Sequence, residues 1–231
     1  WNYLKKLQKD DILILGAGEI QPRKGVDIYI SVAAKIKKYG CKKNIHFAWI
    51  GAGYDPDNDF NVSLWLDDQI KRSGLTKDCK ILDKSSAYSK LIERSNIFMV
   101  TSRLDPLPNV AIDALTNGTP TICFDKACGI ADLMGYDEKL KQALVAEYLD
   151  IEMMARKAVD LIEDNKKLEE VGILCKQNAL KWFDMDRYIK ELVNIGKNAC
   201  QREKLIKREA DYLYNEASVN MVVASLEKLI Q

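Results

Sequence analysis

The sequence predicts an α/β protein, a Rossmann-like parallel sheet with helices on both faces. Three observations predict it. Short apolar runs alternate with helix-length amphipathic stretches. Two of the runs close on a glycine pair, Gly16-Ala17-Gly18 and Gly51-Ala52-Gly53. From Ile151 onward the runs stop and only helical patterns remain, which predicts a helical C-terminal tail.

The elements follow in order. Ile12 to Leu15 reads as a strand, and Val26 to Tyr39 as a helix with apolar positions at Val26, Ile30 and Ala33. Ile45 to Ile50 is the next strand, followed by an acidic loop from Tyr54 to Asn61. Val62 to Ser73 is helical and Gly74 stops it. Cys79 to Leu82 is a strand, Tyr88 to Glu93 a helix, and Ile97 to Thr101 a strand. A loop with Asp105, Pro106 and Pro108 leads into a helix from Asn109 to Leu115, broken at Asn117-Gly118. Thr121 to Phe124 and Ala143 to Ala146 complete the strands. Met153 to Asp164, Lys167 to Trp182, Asp186 to Cys200 and Gln201 to Gln231 read as helices. The charge run from Arg202 to Glu209 reads as a solvated helix face. The expected division is a ligand-binding domain over 1–196 and a helical extension over 197–231.

Composition narrows the function. The 231 residues carry 35 basic and 34 acidic side chains, a net charge of +1, without the basic excess of a nucleic-acid binder. No apolar run reaches the ~18 residues that span a membrane. The chain opens on Trp1 rather than Met, which suggests a piece of a longer protein. Cys41, Cys79, Cys123, Cys128, Cys175 and Cys200 form no C-x-x-C pair, and His46 is the one histidine. A zinc site needs about four clustered ligands, so no metal is expected. His46 sits in a strand-like run and reads as a core residue rather than a base.

In such sheets ligands bind where the strands end, so chemistry belongs on the loops after the strands. The first loop runs from Gly16 to Gly25. A dinucleotide fingerprint fails there, because its third glycine position is Gln21, followed by Pro22. Gly18 allows close approach of a phosphate, and Arg23-Lys24-Gly25 opens a helix. Two cations at a helix N-terminus oppose the macrodipole. They make sense around an anion, or as an ordinary surface pair; the fragment alone leaves both open. The second loop runs from Thr101 to Asn109. A carboxylate recognises adjacent hydroxyls well. Asp105 in this loop and Asp113 one turn into the next helix could hold two sugars, with a diphosphate facing the amides of Leu107, Asn109 and Val110. Equally, they could be a turn former and a solvated side chain.

The stretch Asp105-Pro106-Leu107-Pro108-Asn109-Val110-Ala111-Ile112-Asp113-Ala114-Leu115-Thr116-Asn117-Gly118-Thr119-Pro120 resembles the E-x7-E block of glycosyltransferase family 4. The likeness continues through Thr121 to Asp125 and Gly129-Ile130-Ala131-Asp132. Arg23-Lys24-Gly25-Val26-Asp27 is similar to the family's K-G-x-D helix start, and Trp49-Ile50-Gly51-Ala52-Gly53 to its strand-end G-x-G. It extends over about Ile12 to Gly196.

The resemblance implies one half of a GT-B fold, the carboxyl-terminal half that binds a nucleotide sugar, with the acceptor-binding amino-terminal domain absent from this chain. It implies a retaining hexosyltransferase that uses a UDP- or GDP-linked sugar and no metal or other cofactor. The acceptor would be a glycan or lipid-linked molecule, as in bacterial surface polysaccharide or lipopolysaccharide synthesis. The location would be cytoplasmic, or peripheral to the inner membrane in the full-length protein. The fragment alone would be inactive. Asp105 would contact the transferred sugar, Asp113 the ribose and Lys24 the diphosphate, with Asp105 and Lys24 as the catalytic pair. Gly18, Arg23, Arg103, Leu107, Asn109 and Val110 complete the expected donor site. Base contacts are expected from Asp83 to Ser86. Both family glutamates are aspartates here, the E-P-F-G glycine is Pro108, and the arginine before the K-G lysine is Glu19, whose charge Arg23 or Arg103 would replace. These departures keep a non-catalytic nucleotide-sugar-binding or scaffold module, or a GT-B epimerase, as alternatives.

Overall fold

The computed structural model describes residues 4–83 and 88–230. It divides into two compact units, 1–182 and 183–231. The first unit holds a six-stranded parallel sheet, with strands β1 (Ile12–Ala17), β2 (Ile45–Ile50), β3 (Cys79–Leu82), β4 (Ile97–Val100), β5 (Thr121–Phe124) and β6 (Val145–Ala146). Their order is β3-β2-β1-β4-β5-β6. Chain direction across the sheet reverses between β1 and β4, and a crevice opens there at the carboxyl ends. The helices are α1 (Val26–Tyr39), α2 (Ser63–Arg72), α3 (Tyr88–Arg94), α4 (Asn109–Asn117), α5 (Gly129–Met134), α6 (Glu138–Leu144), α7 (Ile151–Glu163) and α8 (Asn165–Trp182). α1 packs with α2 and α7, whereas α4 packs with α3 and α8.

The strands are continuous apolar runs because helices cover both faces. β1, β4 and β5 are buried along their whole length. The register of β1 on β2 runs from Ile12 opposite Ile45 to Ala17 opposite Ile50. This alignment brings the two glycine loops together. Gly18 donates its N–H to the Ile50 carbonyl at 3.0 Å. A Cβ on Gly51 would lie 1.8 Å from the Gly18 oxygen, so only glycine fits there. Tyr29 of α1 is fully buried, with its hydroxyl 2.8 Å from the Ile14 carbonyl and 3.0 Å from that of Ala48. Its ring meets Trp49 edge-on at 5.3 Å, and the Trp49 indole N–H donates to the Gly18 carbonyl at 2.8 Å. Core packing on β1 and β2 thus fixes the first loop.

The structure differs from the sequence reading at the carboxyl side of the sheet. Two helices, α5 and α6, stand between β5 and β6, where no helix was expected. Ala143 and Leu144 end α6, which leaves only Val145 and Ala146 for the last strand. These helices are six and seven residues long, too short for a helical period to stand out. The second unit contains a single long helix, α9 (Met185–Ile230), in place of two segments. The expected domain boundary at 196 falls inside it. Among the described residues, no helix is long and apolar enough to cross a membrane.

The acidic loop before α2 has a structural task. Asp59 accepts from the backbone N–H of Asn61 at 3.0 Å and of Ser63 at 2.9 Å, and from the Ser63 hydroxyl at 2.8 Å. Those bonds hold its carboxyl down at about 2, against an ordinary 3.8. A lowered folded-state value stabilises the fold above the unfolded pKa and loses that effect as the carboxylate is protonated. Asp59→Ala should therefore melt lower than wild type near neutral pH. The difference in Tm should shrink as pH falls from 3.8 towards 2. A difference that does not change with pH would show that the carboxylate charge does not cap α2.

Candidate functional site

The loops after β1 and β4 meet over the crevice, although their contacts join residues 81 apart. The first loop forms a short 3-10 turn, Pro22–Lys24, and then Gly25 in the left-handed region at φ 70°. A Cβ on Gly25 would lie 2.0 Å from the Thr101 carbonyl oxygen. Glycine is therefore required twice over here, by backbone angle and by contact. The buried Thr101 hydroxyl donates to the Gly25 carbonyl at 2.8 Å, and the Arg103 N–H donates to the Arg23 carbonyl at 2.8 Å.

Charged side chains complete the junction. Lys24 Nζ donates to Asp105 Oδ2 at 2.5 Å, with side-chain exposures of 17% and 8%. Arg23 donates to the Leu104 carbonyl at 2.9 Å and stands 3.7 Å from Asp105. Arg103 grips Asp27 with both terminal nitrogens, at 2.9 and 2.6 Å, and donates to the Pro22 carbonyl at 2.6 Å. Burial pushes the Asp27 carboxyl up, but the Arg103 hydrogen bond and charge outweigh it, and the net shift is downward. Thus Arg23 and Arg103 are each tied to the opposite loop. The anion that answers the two cations before α1 is here a carboxylate of the protein itself.

Asp105 is buried. Its N–H donates to the Ala127 carbonyl at 2.8 Å, and it forms a parallel bridge with Cys128. The Pro106 carbonyl accepts from Gly129 N–H at 2.8 Å, and a Cβ on Gly129 would lie 2.5 Å from that oxygen. The segment before α5 therefore braces the second loop from below. Pro108 caps α4 with extended geometry and no side-chain bond, and its carbonyl accepts from Ala111 N–H at 2.9 Å. A proline fits this position because the cap uses its carbonyl, not an N–H. Asn109 and Val110 open the first turn, whose amides lack partners within a helix. Leu107 is exposed in the loop.

A cavity of about 460 Å³ lies beside this junction, lined by Ala17, Gly18, Glu19, Ile50, Gly51, Ala52, Tyr88 and Val110. Such a volume suits a small-molecule ligand. The Lys24 methylenes run past Gly18, where a Cβ would come within 3.2 Å of them. Tyr88, on the cavity wall, donates its hydroxyl to Asp113 Oδ2 at 2.9 Å. Burial and then Asp113 push the Tyr88 hydroxyl well above its ordinary range.

The structure thus brings Gly18, Arg23, Lys24, Arg103 and Asp105 into one cluster, and puts Val110 and Tyr88 on the cavity beside it, with Asp113 bonded to Tyr88 behind that wall. Arg103 faces Asp27 rather than open space. Tyr88 and Thr101 had no role in the sequence reading, since a helix-opening tyrosine and a strand-ending threonine carry no local signal. Of the expected base-contacting segment, residues 84–86 lie outside the described residues. His46 stands at the start of β2, at the opposite end of the sheet, 3.2 Å from Asp11. Among the described residues, no group of three or more His, Cys, Asp or Glu could hold a metal ion.

A Rossmann-like half of a GT-B fold with its loops joined over the crevice defines a class, and sequence comparison agrees. The family of glycosyl transferases group 1 matches residues 3–182, and the chain belongs to that family. An uncharacterized glycosyltransferase of Haemophilus influenzae is 26% identical over 167 residues, which are 72% of this chain and 43% of that protein. The chain therefore spans less than half the length of this curated relative. Among solved structures, Staphylococcus aureus TarM, in complex with UDP and other ligands, superposes with a TM-score of 0.68 at 19% identity, over 82% of this chain and 36% of that one. Anabaena HepE in complex with UDP and glucose gives 0.67 at 20% identity, over 80% and 48%. WaaG, a glycosyltransferase involved in lipopolysaccharide biosynthesis, gives 0.62 at 16% identity, over 77% and 45%.

The Lys24–Asp105 pair is mostly out of water, so removing one partner strands a buried charge. Such breaks cost about 3–5 kcal/mol, and Arg23 at 3.7 Å offsets part of that here. Lys24→Ala should lower stability in urea by roughly 2–3 kcal/mol. The double variant Lys24→Ala/Asp105→Asn should recover much of the loss, because the unpaired charge is gone. Additive losses in the two single variants would mean that the two side chains act independently.

Proposed function

We propose that the chain is the donor-binding half of a retaining, nucleotide-sugar-dependent hexosyltransferase of family 4. The observation that carries the proposal is the Lys24–Asp105 contact at the mouth of the crevice, beside the 460 Å³ cavity. A cation and a carboxylate held 2.5 Å apart can separate onto the two parts of one ligand, the cation onto a phosphate and the carboxylate onto a sugar hydroxyl. The nucleoside occupies the cavity against Gly18, Gly51 and Val110, and Asp113 holds the ribose after exchanging the Tyr88 hydroxyl for it. The diphosphate lies along the first turn of α4, over the amides of Asn109 and Val110, where the helix favours negative charge. Arg23 is half-exposed and can turn from the Leu104 carbonyl to the same phosphates. Arg103 serves by holding the Lys24 loop in place through Asp27.

In this reading charge develops on the leaving diphosphate, and Lys24 with the helix amides stabilises it in place of a metal. The sugar sits on Asp105, oriented for attack by an acceptor bound to the part of the full-length protein not contained in this chain. UDP in two of the structural relatives favours a uridine nucleotide. The involvement of WaaG in lipopolysaccharide biosynthesis favours a surface-glycan or lipid-linked acceptor; in this reading the full-length protein works at the cytoplasmic side of the inner membrane.

Calorimetry with UDP, GDP and UDP-glucose tests the site on this chain, with EDTA present throughout. Asp113→Asn should weaken every nucleotide, by about tenfold to a hundredfold, as for a charged hydrogen bond of ~1.5–3 kcal/mol. Asp105→Asn should weaken only the nucleotide sugar, and Tyr88→Phe should leave or improve nucleotide affinity. Wild-type binding by both aspartate variants would leave the fold without this site, and binding abolished by EDTA would refute the metal-free reading.

A further inference from the structure

The second unit consists of α9, 46 residues and, at 1.5 Å per residue, about 70 Å long. Ala199, Ile206, Ala210, Tyr214 and Ala217 lie on one face of it, separated by seven, four, four and three residues. These steps keep close to the 3.6-residue helical period, so the five residues share one stripe of the helix. All five are exposed, Ile206 at 59% and Tyr214 at 75%. Helices gain most of their stability by burying such a face, so a bare seam of this length calls for a partner.

Charge identifies the partner. Between 197 and 208 stand Lys197, Arg202, Lys204, Lys207 and Arg208, against Glu203 alone. Between 209 and 217 stand Glu209, Asp211 and Glu216, with no basic residue. A second α9 laid parallel would set like charge on like. Laid antiparallel, it sets the basic stretch of each helix on the acidic stretch of the other. A two-fold axis near residue 210 puts Lys207 beside Asp211 of the partner subunit on one flank of the seam. On the other flank it puts Arg202 beside Glu216 of the partner subunit. Symmetry repeats both pairs, in the manner of the flanking charges that set orientation in coiled coils. Glu203 interrupts the seam and Glu209 meets its own copy near the axis, which keeps the association modest. We propose that α9 is a self-association surface, on which a second copy of this chain docks antiparallel.

Sedimentation of the whole 231-residue chain tests this, with circular dichroism to confirm that each variant stays helical. Wild type should pass from one chain to two as its concentration rises through the micromolar range. The acidic variant Lys204→Glu/Lys207→Glu/Arg208→Glu and the basic variant Glu209→Lys/Asp211→Lys/Glu216→Lys should each stay single. An equal mixture of the two should regain the pair. Orientation is read from the exposed Cys200. Ser218→Cys should give an oxidised cross-linked dimer through Cys200 of one copy and position 218 of the other, whereas wild type should not link through Cys200. A wild type that stays single at all concentrations, two variants that ignore each other, or a Cys200–Cys200 link would each overturn the proposal. Nucleotide binding plays no part in these readouts, so they stand or fall apart from the donor-site reading.

Discussion

The contact on which the site depends is the junction of two backbone loops, the one after β1 and the one after β4. At its base a glycine in the left-handed region lies against the Thr101 carbonyl, and no other residue fits between them. Above it the Thr101 hydroxyl, the Arg103 amide, and the Arg23 and Arg103 side chains cross from one loop to the other. Lys24 and Asp105 then face each other at the mouth of the crevice because their backbones have nowhere else to go. The chemistry is placed by backbone sterics first and by charge second.

This arrangement accounts for the basic pair ahead of α1. Cations before a helix N-terminus are electrostatically unfavourable. Asp105 compensates them, while Asp27 is held by Arg103, whose hydrogen bond and charge keep its carboxyl below the ordinary range. The junction thus carries its own countercharge. Asp113 is likewise occupied within the protein, by the Tyr88 hydroxyl.

Legibility varied along the chain for physical reasons. β2, β3, β5 and α1 are bounded as the pattern predicted, because each is a short apolar run or a helical period between glycines or charged loops. The two short helices after β5 were not legible. At six and seven residues they show less than two turns of periodicity, and they are stabilised by packing on the sheet end. The site residues Lys24, Asp105 and Asp113 stood out through motif spacing and the family resemblance, whereas charge alone left them ambiguous. Tyr88 and Thr101 were invisible, because each acts through a hydroxyl whose partner is more than twenty residues away.

By itself the sequence determined the parallel α/β architecture, the helical tail and the loops that bear the charged residues. These follow from local periodicity and from glycines that interrupt it, and both are written in neighbouring residues. Only the tertiary structure decided which charges neutralise which. Arg103, expected to face a ligand, grips Asp27, and Lys24 and Asp105, expected to hold different parts of a ligand, hold each other. These pairs join residues 76 and 81 apart. Their distance is set by strand order and by close backbone contact at Gly25 and Gly51, which no local pattern encodes.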